Sequence, residues 1–309
     1  MSFSSEIKED LTRQRAKSPA QRASQLSGLT LTAASLSLGK GGPGVTYVTE
    51  TPAVAKYIAT LAASLYTLDT TIELTEQEKR KLPLYTTTLT GPAAETLLTD
   101  TGFLARSGEG LTLSDGIPPA LVSGDEAARA FLRGAFLGSG SCVNPRRGYH
   151  VEFVMRSSAL AEDLQGVISG QGLPARRFQR KDKCIVYLKG EDVGSLLALI
   201  GAGAGTLELE SVRAEKEFRN YVNRKNNCDT ANIGKTVDAA LAQVQAINLI
   251  DEHRGLNKLP SPLYEAAMLR LNHPEATLQE LADLAEIGKS GMNHRLIRLI
   301  RLAEEIEHG

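Results

Sequence analysis

The chain has 309 residues, of which 42% are apolar and 23% are charged, a balance typical of a folded globular protein and not of a disordered one. Its 35 basic residues nearly match its 36 acidic residues, so the net charge is −1. Taken as an average, this neutrality argues against a nucleic-acid partner, and the length predicts about two domains.

Secretion, membrane insertion and zinc binding are all disfavoured by the sequence. The first residues are charged from Glu6 onward and lack the apolar core of a signal peptide. The longest uncharged apolar tract, residues 193–207, is too short to span a bilayer. Cys142, Cys184 and Cys228 are odd in number, far apart and without a CxxC pair. We therefore expect a cytoplasmic protein with reduced thiols, no metal and no membrane partner.

The near-zero net charge conceals an uneven distribution. Residues 50–130 hold 11 acidic and 6 basic groups, whereas residues 176–183 hold five basic groups against one acid. The stretch 211–235 has six basic and three acidic groups, and the stretch 287–303 has four basic groups and no acid. Separate basic patches of this kind are the electrostatic footprint of a nucleic-acid binder.

An internal repeat occupies the first 200 residues. The segment LSGL at 26–29 lies 106 positions before LRGA at 132–135, since 132 − 26 = 106. Further along, GPAAETLL at 91–98 matches GEDVGSLL at 190–197, and the offset there is only 99. The difference of seven predicts a longer hairpin or loop in the first copy.

Each copy has the pattern of an αββαββα unit. In the second copy, a helix ends near Leu137, a hairpin with alternating apolar residues covers 141–156, and a helix spans Ser158–Gly170. A second hairpin turns near Asp182, and the final helix starts near Glu191. The two copies are expected to pair as one pseudo-twofold α+β platform of about 200 residues.

A glycine lies at the centre of the opening helix of each copy, Gly28 in the first and Gly134 in the second. Because glycine has no side chain, two helices can approach there to backbone contact. We therefore predict that these two helices cross at the pseudo-twofold axis.

The helix segments LSGLTLTAA at 26–34 and LRGAFLGSG at 132–140 resemble the LAGLIDADG motif of homing endonucleases. In that family the last acidic residue of each motif is a metal ligand at the cleavage site. The equivalent positions here are Ala33 and Ser139, which cannot hold a divalent ion. The resemblance thus implies the nuclease scaffold without its chemistry: no catalytic residue, no metal and no cofactor.

Residues 205–260 are predicted to connect the platform to the C-terminal region, as two helices separated by a polar, Asn-rich run. The run contains cations near helical spacing, for which two interpretations stay open: a phosphate-contacting surface, or side chains that tie the domains together. The candidate phosphate contacts in this connector are Arg213, Arg219, Arg224 and Lys235.

Residues 261–303 have the pattern of a helix-turn-helix. The first helix ends before Asn272, Thr277 and Glu280 form a capping box for the second helix, and the third helix runs from Lys289 to about residue 304. Glu286 stands where this motif usually has glycine, which suggests a slightly wider turn.

The third helix is expected to enter the major groove with its first residues against base edges. Lysine can address guanine and asparagine can address adenine, whereas arginines further along suit phosphates. The candidates for base readout are Lys289, Ser290, Asn293 and His294. The candidates for phosphate contact are Arg295, Arg298 and Arg301 on this helix and Arg176, Arg177, Arg180 and Lys181 on the platform hairpin.

The degenerate LAGLIDADG pair, the stretch EFRNYVNRKNNCDTANIGKT at 217–236 and the helix-turn-helix TLQELADLAEIGKSGMNHRLIRL at 277–299 together resemble the bacterial WhiA family along essentially the whole chain. The resemblance implies a DNA-binding transcriptional regulator linked to sporulation, or to cell division and chromosome segregation, located at the nucleoid. It also implies three parts: a platform at 1–204 with repeats at about 20–104 and 125–203, a basic helical connector at 205–260, and a helix-turn-helix domain at 261–309.

Double-stranded DNA is therefore the expected partner. Because the duplicated platform already contains a pseudo-twofold interface, one chain could bind as a monomer. Two alternatives stay open: an architectural or protein-interaction factor in cell division that docks a protein on its platform, and an active metal-dependent endonuclease.

Overall fold

The computed structural model describes residues 2–39, 42–76, 83–108 and 110–308, apart from the side chains of residues 229, 231 and 233. The chain divides into two compact units, Met1–Glu215 and Lys216–Gly309. Within the described residues, no helix has the length and apolar character needed to cross a membrane. The division of the chain into three parts stays a prediction.

The first unit begins with α1 (Phe3–Arg13) and then contains the two predicted copies. The first copy comprises α2 (Pro19–Ala33), β1 (Ala34–Gly39), β2 (Gly42–Thr49), α3 (Pro52–Ala63), β3 (Asp69–Thr75), β4 (Leu84–Thr90) and α4 (Ala94–Asp100). A hairpin of β5 (Leu104–Ser107) and β6 (Gly110–Leu113) precedes the second copy. The second copy comprises α5 (Asp125–Ser139), β7 (Gly140–Cys142), β8 (His150–Met155), α6 (Ser158–Gly170), β9 (Arg176–Arg180), β10 (Lys183–Lys189) and α7 (Asp192–Ile200).

The two copies have the same topology, which confirms the predicted duplicated α+β platform. The first sheet has the strand order β1-β2-β4-β3 and the second has β7-β8-β10-β9, with every neighbouring pair antiparallel. The connection from β3 to β4 covers residues 76–83, whereas β9 and β10 are joined by residues 181 and 182 alone. The longer hairpin that the change of offset predicts is therefore the β3–β4 hairpin; its residues 77–82 lie outside the described part.

Helices α2 and α5 cross in backbone contact at Gly28 and Gly134, as the sequence predicts. A Cβ atom on Gly28 would lie 2.9 Å from the backbone nitrogen of Ala135 and closer still to a carbonyl oxygen. A Cβ atom on Gly134 would lie 2.9 Å from the backbone nitrogen of Leu29. The two sets of contacts are related by the repeat offset, because 28 and 134 differ by 106 and so do 29 and 135. The crossing therefore lies on the pseudo-twofold axis.

The connector departs from its predicted form. One α-helix, α8 (Gly203–Arg254), covers 52 residues without interruption, in place of two helices around a polar run. The run contains no proline, and its single glycine, Gly234, costs a helix only about 1 kcal/mol. Its asparagines are tolerated because they face solvent and need no packing partner. The helix ends at Arg254, and the next residue, Gly255, has a φ of +79° that suits glycine.

The second unit contains the C-terminal part of α8 followed by α9 (Ser261–Asn272), α10 (Leu278–Leu284) and α11 (Lys289–Glu307). Its core joins Ile247 and Ile250 of α8 to one buried face of each later helix. Those faces comprise Ala266, Ala267, Leu281, Ala282, Met292, Leu296, Leu299 and Ala303. The small residues Ala266, Ala267 and Ala282 let these short helices pack closely.

We predict that Gly28→Ala destabilises the platform by about 2–4 kcal/mol, because the added methyl group must push the two helix backbones apart. Urea unfolding of the full chain, followed by circular dichroism, measures this loss.

Gly166→Ala is the matched control, since Gly166 is also helical and nothing lies within 4 Å of where its Cβ would be. That change should stabilise the protein by about 0.5–1 kcal/mol. Equal effects of the two substitutions would show that the α2–α5 crossing is not tightly packed.

Candidate nucleic-acid interface

The turn between α10 and α11 has the tight geometry of a helix-turn-helix. Thr277 and Glu280 form the predicted capping box, and the hydrogen bonds from Thr277 hold the pKa of Glu280 below its usual value. Glu286 adopts a left-handed conformation with φ of +52°, and the Ile287 N–H donates to the Ala282 carbonyl at 3.0 Å. The expectation that Glu286 widens the turn is wrong. The backbone makes the usual turn, and Glu286 adopts the left-handed conformation that glycine usually has at this position.

Helix α11 separates its residues cleanly into two faces. Met292, Leu296, Leu299 and Ala303 are buried, while the first turns expose polar groups to solvent. All four candidates for base readout lie on this exposed face: Lys289, Ser290, Asn293 and His294. Since they lie on successive turns at the helix N-terminus, they can reach neighbouring base pairs together.

The three arginines of α11 differ in their surroundings. Arg295 is paired with Glu265 of α9 at 2.9 Å and thus joins two helices of the unit. Arg298 lies 4.0 Å from Glu305 of its own helix, a distance at which an exposed pair contributes little. Arg301 is exposed and makes no ion pair within the described part of the chain. Arg298 and Arg301 are therefore better placed for phosphate than Arg295.

A buried arginine that the sequence did not single out supports this unit. Arg270 of α9 is only 2% exposed, and burial lowers its pKa. Its Nε donates to Gln243 of α8 at 2.8 Å, and its Nη1 donates to the carbonyl of Ala276 at 2.7 Å. The same nitrogen reaches two further carbonyls of the α9–α10 loop, those of His273 and Pro274. Arg270 thus holds in place the loop that leads into the helix-turn-helix.

A second basic surface covers the open face of the β7-β8-β10-β9 sheet, on the side away from the core. Paired residues share a face, so the register places Arg176 beside Tyr187 and Arg180 beside Lys183. Lys189 lies 5.1 Å from the centre of the Tyr187 ring, and Phe178 packs against the same ring at 5.5 Å. Two cations that the sequence candidates did not include, Lys183 and Lys189, therefore join this surface. Lys183 and Lys189 are an even number of positions apart along β10, and this spacing was the sequence signal that places both on one face of the strand.

The other two hairpin candidates lie elsewhere. Arg177 is on the opposite face of β9, where it pairs with Glu162 of α6 at 3.0 Å. Lys181 occupies the β9–β10 turn with φ of +57° and is exposed. Arg176 and Arg180 are the pair that the fold brings together.

The open face of the first sheet has a different chemistry. Its four strands contain no lysine or arginine, and its two charged residues, Asp69 and Glu73, are both acidic. The register places threonines 46, 71, 86 and 88 on that face. The two copies share a fold, but of their described strands only those of the second sheet contain basic residues.

The candidate cations of α8 do not all lie on one side of the helix. Arg213, in the first unit, pairs with Glu191 at 2.5 Å. In the second unit, Arg224 and Lys235 are eleven residues apart, about three turns, and share one side of the helix, while Arg219 lies about 140° away. All three are exposed.

The degenerate motif positions lie at the helix ends nearest the crossing. Ala33 is the last residue of α2 and Ser139 is the last residue of α5. Ser139 donates to the carbonyl of Ala135 in its own helix at 3.5 Å. Over the described ranges, no cluster of three or more histidine, cysteine or acidic residues could hold a metal ion.

The fold and the interface define a class of protein in which a duplicated LAGLIDADG-like platform precedes a helix-turn-helix domain. Three family models match in that order: the WhiA N-terminal LAGLIDADG-like domain at residues 19–104, the WhiA LAGLIDADG-like domain at 128–219 and the WhiA C-terminal HTH domain at 222–303. The chain belongs to the WhiA family.

Known relatives and a solved structure match this chain along nearly its full length. A "Probable cell division protein WhiA" of Clostridium acetobutylicum is 39% identical over 99% of this chain and 98% of its own length. Its counterpart in Clostridium perfringens strain 13 is also 39% identical, over 100% of this chain and 99% of its own. The crystal structure of full-length DUF199/WhiA from Thermatoga maritima covers 99% of both chains at 25% identity, with a TM-score of 0.62.

We predict that Arg270→Met lowers the free energy of unfolding of the second unit by about 2–4 kcal/mol, because it leaves Gln243 and the loop carbonyls without their donor. Arg270→Lys should not restore this stability, since a single ammonium group cannot reach both Gln243 and the loop carbonyls. Hydrogen exchange of the α9–α11 amides measures the change. Arg298→Met, at an exposed site, is the control and should stay within about 0.5 kcal/mol; a similar loss there would contradict the assignment.

Glu286→Gly is expected to stabilise the same unit by about 0.5–1 kcal/mol, because glycine adopts a left-handed conformation without strain. Thermal unfolding of the full chain provides the measurement. The comparison variant is Glu304→Gly, in the regular part of α11, which should destabilise by about 1 kcal/mol. Destabilisation by both changes would be inconsistent with strain at Glu286.

Proposed function

We propose that this protein is a sequence-specific, duplex-DNA-binding transcriptional regulator that acts in cell division and chromosome segregation or in sporulation, and that it does not cut DNA. The observation that carries the proposal is the exposed N-terminal face of α11. It presents Lys289, Ser290, Asn293 and His294 on a helix without a single acid between residues 287 and 303.

The chemistry of these side chains suits base recognition in the major groove. Asn293 can donate to and accept from adenine at once, and Lys289 can donate to the two acceptors of guanine. Ser290 and His294 stand one turn apart on the adjoining stripe of the helix. Arg298 and Arg301, further along α11, would contact phosphates and set the register without reading sequence.

The open face of the second sheet offers additional contacts that are independent of sequence. Arg176, Arg180, Lys183 and Lys189 provide four cations on one surface, opposed there by Glu152. Such contacts raise the affinity for all DNA sequences alike and make binding sensitive to salt. We propose that the platform binds DNA through this sheet. Such binding would raise the local concentration of the helix-turn-helix near its target sequence.

Absence of cleavage is proposed from the side chains at the two motif positions. An alanine and a serine at positions 33 and 139 cannot supply the paired carboxylates that hold divalent ions between an attacking water and a phosphate. The role in cell division is supported by the names of the relatives.

A protein-docking role of the platform is the second candidate, and one observation favours it. The first sheet has no basic residue on its strands, and Val48, on its open face, is 52% exposed. A surface of threonines with an apolar group and two acids suits a protein partner better than DNA.

For DNA binding, contact with six to eight phosphates predicts that log affinity falls against log salt with a slope of about −5 to −7. Replacing Asn293 and His294 with alanine should reduce the preference for a promoter fragment over random duplex by at least about tenfold, since each good base contact contributes about 1–3 kcal/mol. Fluorescence anisotropy with labelled duplexes measures both quantities.

The matched variant is the pair Arg176→Gln and Arg180→Gln. It should weaken binding to both duplexes by the same factor and make the salt slope shallower by about 2. A slope near zero for the unaltered chain, or an unchanged sequence preference after loss of Asn293 and His294, would refute sequence-specific recognition by α11.

For cleavage, incubation of supercoiled DNA with the chain and Mg²⁺ or Mn²⁺ should give neither nicked nor linear product. Gel electrophoresis resolves the three forms, and an active homing endonuclease on its own target serves as the positive control. Cutting that disappears when another acidic residue of the chain is replaced would establish a nuclease and contradict the proposal.

A further inference from the structure

A cavity of about 540 Å³ lies in the first unit, on the helical side of the platform. It is bounded by the end of α1, by the residues that lead into α2, and by one face of α3. Helix α3 packs on the core side of β2 and β4 through Val54 and Ile58. The cavity therefore opens away from the sheet faces that would meet DNA or a docked protein.

Three cations line this cavity, and no acid does. Arg15 follows α1, Arg22 lies in α2 and Lys56 lies in α3. None of the three has a hydrogen bond or an ion pair from its side chain to any residue that the structure describes. Positive groups that share a cleft repel one another, so the site favours a ligand with negative charge.

Arg22 adds a second sign of an anionic ligand. Its Nε is buried yet has no hydrogen-bond partner in the described structure. An unsatisfied buried donor of this kind is destabilising, and the few that occur in folded proteins are often explained by a bound group. The guanidinium can present two parallel N–H donors, a geometry that matches two oxygens of one phosphate.

The rest of the lining combines apolar groups and an aromatic ring with the hydroxyls of Thr12, Thr60 and Ser64, each of which donates to a nearby backbone carbonyl. Tyr57 lies beside Leu61 and Ala53 on α3, and burial raises the pKa of its hydroxyl while Arg133 opposes that shift. The Tyr57 hydroxyl donates to the carbonyl of Gln14 at 3.4 Å, which leaves the ring as the contact surface. Inorganic phosphate would contact only the three cations. A cavity of this size is typical of sites for larger small molecules.

We propose that this cavity is a binding site for a nucleoside diphosphate. Arg15, Arg22 and Lys56 would bind the two phosphates, and Tyr57 with Leu61 would contact the base. This assignment does not depend on the DNA-binding proposal, because the cavity and the DNA surfaces share no residue.

Isothermal titration calorimetry of the full chain with ADP and with GDP tests the site, with inorganic phosphate as the comparison probe. We expect at least one of the two nucleotides to bind at least tenfold more tightly than inorganic phosphate. Arg22→Gln and Lys56→Gln should each weaken nucleotide binding by tenfold or more. Lys56 is exposed, so its variant keeps the test valid even if Arg22→Gln perturbs folding.

The matched control is Arg106→Gln, an exposed arginine on β5 outside the cavity, which should leave nucleotide affinity unchanged. Three outcomes overturn the proposal: no binding of ADP or GDP at millimolar concentration, equal loss in the cavity and control variants, or equal affinity for nucleotide and inorganic phosphate. Loss of duplex-DNA affinity in Arg22→Gln and Lys56→Gln without nucleotide binding would instead assign these cations to a DNA surface, and it too would overturn the site.

Discussion

The close approach of α2 and α5 is the constraint on which the first unit depends. Two helix backbones touch at Gly28 and Gly134. The contacts are reciprocal, since each glycine lies against backbone atoms of residues near the other glycine in the facing helix. Because each sheet packs against helices of its own copy, the crossing also relates the two sheets. The crossing needs glycine at both positions, because a Cβ atom at either one would overlap the backbone of the facing helix.

Symmetry of the backbone does not extend to the surface. The first sheet presents threonines and two acids, whereas the second presents four cations around the Tyr187 ring. The near-zero net charge of the chain conceals these opposed surfaces and the stretch 287–303, which has four basic groups and no acid. Net charge therefore says little about the partner of a duplicated protein, since the two copies can specialise in opposite directions.

Much of this architecture could be predicted from sequence because it depends on local patterns. The repeat offset predicted two αββαββα copies, glycines at equivalent positions predicted the helix crossing, and Thr277 with Glu280 predicted the start of α10. These features are determined by residues close together in the chain or by direct repetition. The base-readout candidates on α11 followed from a helical pattern, and the structure places all four on its exposed face.

The features that sequence reasoning missed depend on tertiary contacts or on strain. Arg270 was overlooked because its partners come from α8 and from the following loop, and only the fold brings them together. The continuous α8 was missed because a polar run without proline can remain helical in solvent. Glu286 was expected to widen the turn, yet the surrounding helix packing holds it in a left-handed conformation.

Genome-wide crosslinking in cells that express this chain tests the central claim most directly. Sequence-specific binding through α11 predicts occupancy at discrete promoters that share a short motif. It also predicts that these peaks vanish when Asn293 and His294 are replaced while the protein level stays constant. Uniform occupancy along the chromosome, or peaks that persist unchanged in that variant, would contradict the account.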